Sequence, residues 1–303
     1  MPHSIRSVAA ALALAWLALA APAPADEVYA CGDGQVRAYE IDDGNARETW
    51  RWTAAEAEDL PAEYRESLFG AIDECKSVNG GRSVLVTAST GGVVLIDRET
   101  KAVRFRARSP MAHSAEILPG NRLAVALSVH KDGNRLEVYD QSKNESPLFH
   151  LELFSGHGAV WDAPRDRLFA LSFDKIQAFS LKDWDGPSPA LTEASRWTLP
   201  GEQSGHDLTR DPKTGKYLVT TTDAAWWFDP DAKSEADAFK PFPPLNPALR
   251  VKSLELTTRR AVWVKAEEEW WAFGFTVADR DGTNPRRVDV PGLHLYKVRW
   301  VNP

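Results

Sequence analysis

Histidines recur in the sequence at a regular interval, and this spacing makes them the first candidates for chemistry. Four of the seven histidines stand at the head of a repeated phrase, which continues with a short strand, a tight turn and a strongly apolar strand. Glutamate and lysine stand at the head of the other two copies. The six head residues, about 40 to 50 positions apart, are Glu74, His113, His157, His206, Lys252 and His294.

Imidazoles that converge from separate strands can hold a divalent metal ion and leave a coordination position open for water or substrate. His113, His157 and His206 come from three successive copies and form the predicted metal site. Glu116 follows His113 closely and is predicted as a fourth ligand or general base. Lys252 is predicted to stabilise an oxyanion or to bind an acidic substrate. These roles would suit a metal-assisted hydrolase or lyase that acts on a sugar carboxylate or lactone.

The same histidines have two other interpretations. In WD-type propellers a Gly-His pair before a blade has a structural role, and Gly156-His157 and Gly205-His206 resemble that pair. Trp161-Asp162 follows too early to meet the WD spacing. Without a metal, the six head residues would form a polar ring that hydrogen-bonds a ligand directly. Structural histidines, metal ligands and ligand-binding residues all stay open at this point, and so does the question of whether the protein is an enzyme.

A repeated unit of four short strands positions the head residues. Each phrase supplies two strands, and two further strand candidates follow it, as "GGVVLIDR" and "AVRFRARS" do in the first copy. Four antiparallel strands in a repeat of about 40 to 50 residues are typical of propeller blades. Because the first strand of each blade lines the central channel, the head residues are predicted to meet at the channel mouth.

The two ends of the chain complete the ring of blades. Residues 294–303 have the pattern of a first strand, whereas residues 27–54 have the pattern of second, third and fourth strands. Together they predict a closing blade, so the fold class is all-β: a six-bladed β-propeller closed by the C-terminal strand and the three N-terminal strands. The Ala- and Glu-rich residues 54–71 are predicted to form a short helical insertion beside the channel mouth.

Cys31 and Cys75 are the two cysteines of the sequence. In this register Cys31 lies in the second strand of the closing blade and Cys75 in the first strand of the next blade. A disulfide across the closure is therefore predicted for an exported protein. Two buried cysteines that act as small hydrophobic residues are the alternative.

The first 25 residues have the pattern of a secretory signal peptide. Arg6 supplies a positive start, residues 8–21 are apolar, and residues 23–25 form a small-x-small cleavage site. We therefore expect a single propeller domain at 26–303 that is periplasmic or secreted. No later segment reaches the ~20 apolar residues of a transmembrane helix.

Composition and motifs argue against several function classes. The net charge is -7, with 36 basic and 43 acidic residues and no block of lysine and arginine, which disfavours a nucleic-acid partner. The sequence has no nucleophile elbow, phosphate-binding loop, His-Glu-x-x-His motif or paired Cys-x-x-Cys motif. Nucleophilic and nucleotide chemistry therefore lack their usual sequence support.

Two tryptophan pairs, Trp226-Trp227 and Trp270-Trp271, lie in or near predicted third strands. Such rings can offer stacking faces to a sugar. Adjacent residues of a strand point to opposite sides, so one member of each pair is expected to pack between blades.

The phrases "LPAEYRESLFGAIDECKSV", "VLVTASTGGVVLIDRETK", "AHSAEILPGNRLAVA" and "HGAVWDAPRDRLFAL" cover about the first two thirds of the mature chain. They resemble a group of exported bacterial β-propeller proteins whose domain has no known function. The resemblance implies a propeller and an exported location, and it implies no activity. More distantly, the architecture is similar to the six-bladed sugar lactonases and quinone-dependent sugar dehydrogenases, which use the central pocket for a metal or cofactor.

The sequence thus predicts an exported propeller that binds a small polar, carbohydrate-derived ligand in an axial pocket ringed by histidines. A divalent metal is the predicted cofactor if the protein catalyses hydrolysis or elimination. The alternative is a non-catalytic propeller that serves as a scaffold for protein–protein interaction in the cell envelope.

Overall fold

Six four-stranded antiparallel sheets surround a central channel in the computed structural model, which describes residues 26–42, 45–201 and 204–301. The predicted six-bladed β-propeller is confirmed, and so is its closure. The predicted signal peptide, 1–25, lies outside the described residues. No helix in the described part of the chain is long and apolar enough to cross a membrane.

In chain order, the first three strands and the last strand belong to the closing blade, and the strands between them form blades 1 to 5. They are β1 (Asp26–Gly32), β2 (Gln35–Asp42), β3 (Asn45–Thr53), β4 (Ile72–Val78), β5 (Ser83–Ala88), β6 (Gly92–Asp97), β7 (Val103–Arg108), β8 (Ala112–Leu118), β9 (Arg122–Leu127), β10 (Arg135–Asp140), β11 (Pro147–Glu152), β12 (Gly158–Asp162), β13 (Arg167–Leu171), β14 (Lys175–Lys182), β15 (Ala190–Thr198), β16 (Asp207–Arg210), β17 (Tyr217–Thr220), β18 (Ala225–Phe228), β19 (Phe239–Pro241), β20 (Val251–Leu256), β21 (Arg260–Lys265), β22 (Gly274–Asp279), β23 (Arg286–Asp289) and β24 (Leu295–Trp300).

Each blade runs from an inner strand at the channel to an outer strand at the periphery. The closing blade has the order β24-β1-β2-β3, and blades 1 to 5 begin with the inner strands β4, β8, β12, β16 and β20. The inner strands enter at one end of the channel, here called the mouth. The loops between second and third strands, and the connections from one blade to the next, therefore all lie on the mouth face.

The predicted helical insertion at 54–71 is a connection with two short helical turns. Ala54–Glu56 forms a 3-10 turn and Tyr64–Leu68 a π-helical turn. Pro61 stands between them and lacks the N–H that a continuous helix needs. Two more short helical segments lie in blade 4 and in its connection to blade 5, Glu235–Ala238 and Pro243–Leu245.

The core lies between neighbouring blades, because alternate residues of each strand face the sheets on either side. Between blades 1 and 2, for example, Phe105 and Tyr139 pack edge to face with ring centroids 5.5 Å apart. Trp226 packs against the core between blades 3 and 4, whereas Trp227 packs against the core between blades 4 and 5. Both rings of this pair thus serve the blade interfaces.

Two features hold the ring closed between its ends. β24 pairs with β1 along the closing blade, where Val28 lies opposite Trp300. Cys31 of β1 and Cys75 of β4 form a disulfide, with Cα atoms 6.1 Å apart and both side chains fully buried. The disulfide links the closing blade to blade 1 directly beside the channel.

Candidate functional site

A β-bulge at the start of the inner strand aims one side chain per blade into the channel. In four blades the pairing register shifts at this point, and the extra residue is Asp73, His113, Lys252 or Tyr296. In blades 3 and 4 the backbone N–H groups of His157 and His206 donate to the carbonyls of Leu171 and Thr220, which lie opposite the next residue along. A bulge turns its extra residue out of the regular alternation. The six residues that follow from this geometry, here called the mouth ring, are Asp73, His113, His157, His206, Lys252 and Tyr296.

The mouth ring lines a cavity of about 1000 Å³ at the channel mouth. His113 and His157 have ring centroids 4.5 Å apart, and those of His157 and His206 are 5.6 Å apart. His206 Nε2 is 3.3 Å from Lys252 Nζ, and the Tyr296 ring lies edge-on to His113. Five of the six predicted head residues therefore line one pocket: the three predicted metal ligands and Lys252 in the mouth ring, and His294 at the rim.

Two predicted head residues lie outside the mouth ring: Glu74 does not line the cavity, whereas His294 lines it from the rim. Glu74 is the residue after the bulge and points to a lower layer, so Asp73 takes its place. His294 lies two residues before Tyr296, at the rim, where its Nδ1 is 3.0 Å from Asp33 Oδ1 and its side chain is 53% exposed. The bulge adds one residue to the strand, and a repeat aligned on histidines alone does not register it.

A simple signal would have located Asp73 and Tyr296. A buried apolar residue stands directly before the bulged residue in four blades, and glycine does so in the other two. These preceding residues are Ile72, Ala112, Gly156, Gly205, Val251 and Leu295.

Burial keeps the three ring histidines uncharged. The pKa of His113 is lowered to about 4 by burial, and the pKa values of His157 and His206 lie well below their usual range, with neighbouring lysines acting in the same direction. Nδ1 of His113 and of His157 donates to the carbonyls of Met111 and Ser155, at 3.0 and 2.9 Å. Because the Nδ1 atoms carry the protons, Nε2 of each neutral ring is an acceptor.

Asp73 brings an unusual carboxyl group to the ring. Its Oδ1 is 3.9 Å from His113 Nε2, and its Oδ2 accepts from the backbone N–H of Ser89. Burial raises the pKa of Asp73 to about 7, although the Ser89 hydrogen bonds and Lys297 oppose the shift. Near neutral pH both the protonated and the ionised form of this group are therefore populated, and perturbed pKa values of this kind are found often at functional sites.

Lys252 supplies the positive charge of the mouth ring. Its residue exposure is 6%, and burial followed by the charges of Lys297 and Arg250 lowers its pKa to about 8. The ammonium group is therefore largely protonated at neutral pH. Of the two residues predicted to act in catalysis, the pocket contains Lys252 and not Glu116.

Directly below the mouth ring, four fully buried charged residues close the channel. This group, here called the floor cluster, consists of Glu74, Asp207, Lys297 and Arg299. Lys297 Nζ lies 3.2 Å from Glu74 Oε2 and 2.9 Å from Asp207 Oδ1. Arg299 Nε donates to Glu74 and its Nη1 donates to Asp207, at 2.8 and 2.9 Å. Glu74 is thus committed to ion pairs and is not a ligand-binding residue of the pocket.

Glu116 lies still further from the mouth. It follows His113 by three residues on the same strand, a distance of about 10 Å at ~3.3 Å per residue. Its Oε2 is 3.6 Å from Lys76 Nζ, and it lines a separate depression together with Asn79 and Val301. The prediction that Glu116 serves as a fourth ligand or base beside His113 is wrong, because the strand carries it away from the mouth.

The predicted metal trio does not fit a metal ion as it stands. Within residues 26–42, 45–201 and 204–301, no three His, Cys, Asp or Glu side chains are arranged to hold a metal. His206 Nε2 accepts from the Lys252 ammonium, which occupies the lone pair a metal would need.

Apolar side chains surround the pocket on the mouth face. The described residues include seven large hydrophobic side chains that are exposed, and six of them lie on mouth-face loops: Val129, Phe154, Phe173, Leu249, Trp270 and Phe273. Trp270 is 59% exposed and lines the pocket rim, next to the half-buried Trp271. Gly70 and Ala71, at the end of the helical insertion, also line the pocket.

The comparisons with known proteins agree with this architecture. No curated protein matches the chain. Among solved structures, one chain in the crystal structure of a nidogen/laminin complex is similar, with a TM-score of 0.59 and 12% sequence identity over 90% of this chain and 97% of that one. At such identity the likeness extends to the fold alone. A family profile matches residues 22–302, and the chain therefore belongs to the family of unknown function DUF6528.

Proposed function

We propose that this protein is an exported propeller that binds a small polar, carbohydrate-derived ligand in the pocket at the channel mouth. The observation that carries the proposal is the mouth ring: each of the six blades aims one polar side chain at a cavity of about 1000 Å³, and four of them do so at a β-bulge. The floor cluster closes the cavity below. A concave site with few, convergent polar groups is the usual form of a small-ligand site.

The chemistry of the ring suits a molecule with several hydroxyl groups. His113 and His157 offer Nε2 acceptors, and the Tyr296 hydroxyl keeps its proton because burial raises its pKa well above the usual range. Acceptors and donors on one wall match hydroxyl groups, which do both. The exposed Trp270 ring at the rim offers a stacking face to a sugar. The proposal requires no metal, and no step of it passes through one.

Calorimetric titration with a panel of neutral and acidic monosaccharides and short oligosaccharides tests this function. We expect saturable binding by the mature protein and at least a tenfold loss of affinity for His157→Ala, because one acceptor of the ring is removed. His150→Ala is the matched control, since His150 lies exposed on the outer strand β11. Absence of binding to every sugar, or equal affinity for both variants, would refute the proposal.

Export is part of the same proposal. The disulfide between Cys31 and Cys75 supports an oxidising compartment. Expression in a Gram-negative host should yield a periplasmic product whose first residue is close to Asp26, which intact-mass measurement checks. An unprocessed cytoplasmic product would contradict it.

A second candidate function is the docking of a protein partner on the mouth face. The observation in its favour is the gathering of six exposed apolar side chains on that face. Phe154 and Phe173 form an exposed aromatic pair, with ring centroids 5.8 Å apart. If a scaffold role is correct, Phe154→Ser and Phe173→Ser should abolish cross-linking to an envelope protein and leave sugar binding intact. His157→Ala should have the opposite effects.

A further inference from the structure

We propose that the ligand is an acidic sugar, a hexuronate free or at the end of a short oligosaccharide, whose carboxylate is bound by Lys252 and Arg250. This inference rests on the proposed function and adds the chemical class of the ligand. Four independent features of the pocket lead to it: an uncompensated buried charge, a neutral layer below, a second cation at the rim and an acceptor-rich opposite wall.

The first feature is the missing counter-ion of Lys252. The side chain is buried and lines the cavity, yet it forms no ion pair with any carboxylate of the described residues. Its partner is the neutral His206, at 3.3 Å. Burying an ammonium group without an opposite charge is costly. The Lys252 ammonium group has two further N–H donors besides the one directed at His206, and these can bind an anion.

The second feature is that the two carboxylates of the layer below are already neutralised. Asp207 and Glu74 share Lys297 and Arg299, so the floor cluster has two negative and two positive charges and balances itself. Asp207 follows His206 directly in the chain, but its side chain points to the floor cluster. The floor cluster therefore does not balance Lys252, and Asp73, the carboxyl group of the mouth ring, lies beside His113 and forms no ion pair with Lys252. A ligand carboxylate would supply the opposite charge.

The third feature is Arg250 at the rim. It lies two residues before Lys252, lines the same cavity, is exposed, and has no ion-pair partner within the described ranges. Its backbone is fixed by hydrogen bonds to Thr222 and Ala266, which anchor the side chain at the lip of blade 5. A guanidinium group binds a carboxylate with two parallel hydrogen bonds. Lys252 and Arg250 therefore place two cations on one side of the pocket.

The fourth feature distinguishes an acidic sugar from other anions. Across the ring from Lys252 lies His113, with His157 next to it, and both present Nε2 acceptors. An acceptor needs a donor, which a fully ionised phosphate or an unsubstituted dicarboxylate does not offer on its far side. A hexuronate has a carboxylate at one end and hydroxyl groups at the other. The cavity leaves room for a further sugar unit beneath Trp270.

The test is a calorimetric comparison of matched sugars. D-glucuronate and D-galacturonate are titrated beside D-glucose and D-galactose, with succinate as an anion that lacks hydroxyl groups. We expect the wild-type protein to bind a uronate at least tenfold more tightly than the matching neutral sugar and to bind succinate more weakly than the uronate. Lys252→Met should abolish the preference for the uronate, while Lys131→Met, which removes an exposed lysine of the mouth face, should retain it.

The outcomes separate this inference from the proposed function. Equal affinity for uronate and neutral sugar, or a preference that survives in Lys252→Met, would overturn the acidic ligand and leave carbohydrate binding in place. Binding of none of the sugars would overturn both. If Lys252→Met does not fold, Arg250→Gln gives the same comparison, because Arg250 is exposed and its substitution leaves the core intact; an unchanged preference there would overturn the shared carboxylate site.

Discussion

Lys252 of the mouth ring and Lys297 of the floor cluster lie in neighbouring layers of the channel. They differ in whether a carboxylate pairs with them. Lys297 is fully buried between Glu74 and Asp207, at 3.2 and 2.9 Å. Lys252 is nearly as buried and has no carboxylate among the described residues. The lower layer satisfies its charges internally and closes the channel. The upper layer leaves charges and acceptors unsatisfied, which is the condition of a binding site.

The carboxyl groups of the two layers show the same contrast. Burial tends to raise the pKa of both Asp73 and Asp207. In Asp207 the neighbouring Arg299 and Lys297 outweigh burial, and the pKa lies well below its usual range. In Asp73 burial dominates and the pKa reaches about 7. Adjacent layers of one scaffold thus hold one aspartate permanently charged and keep another near its titration point.

The largest expected effect comes from breaking the floor cluster. Arg299→Met leaves Glu74 and Asp207 with one cation between them in a fully buried site. We expect the free energy of unfolding to fall by about 3–5 kcal/mol, the usual cost of removing one partner of a buried ion pair. Urea denaturation measures the change.

The control for this loss is an exposed ion pair. Arg104→Met removes the partner of Asp97 at a site where the arginine side chain is 58% exposed. The expected change is much smaller than that of Arg299→Met, because solvent screens the exposed pair. Similar losses in both variants would contradict the view that the floor cluster is the structural layer of the channel.

A smaller effect is expected at Lys252, whose burial costs the folded protein stability while the ammonium group is charged. Its pKa of about 8 is below that of an unfolded lysine, so between about pH 8 and 10 the unfolded chain binds more protons than the folded one. The stability of the unliganded wild-type protein should therefore rise, relative to Lys252→Met, by up to about 1.4 kcal/mol per pH unit in this window.

The groups that face Lys252 support this sign. They are His206, which is neutral and accepts one hydrogen bond, and the cations Lys297 and Arg250, which disfavour the ammonium form. Chemical denaturation of both proteins at pH 7, 8, 9 and 10 gives the difference. At pH 7 Lys252→Met should be at least as stable as the wild type. A stability difference that falls with pH would show that Lys252 has a counter-ion in the folded protein.

The sequence predicts the scaffold more completely than the site. The repeat gives six blades and their closure, because turns and alternating strands leave a period in the sequence. The predicted disulfide partners Cys31 and Cys75 lie within bonding distance once the blades are placed in order. His113, His157 and His206 meet because they occupy equivalent places in equivalent strands.

Two parts of the site escape this reasoning. A β-bulge changes which of two adjacent residues faces the channel, and periodicity does not distinguish Asp73 from Glu74. The floor cluster joins Asp207 to residues about 90 positions away, and this pairing depends on a ring that exists only after folding. The short sequence distance between His113 and Glu116 also suggests a shared site. Three residues of extended strand nevertheless separate their positions along the channel.

The smallest expected effect is spectroscopic and addresses the two aspartates directly. At pH 5.5 Asp73 should carry a proton, since its pKa is raised to about 7, whereas Asp207 should be ionised, since its pKa is lowered. The infrared difference between wild type and Asp73→Asn should contain the band of a protonated carboxyl group, and that band should vanish as the pH rises through 7. The difference between wild type and Asp207→Asn should contain a carboxylate band at both pH values. Two carboxylate bands at pH 5.5 would mean that the mouth ring satisfies its carboxyl group as fully as the floor cluster does, and the distinction between a binding layer and a structural layer would then rest on Lys252 alone.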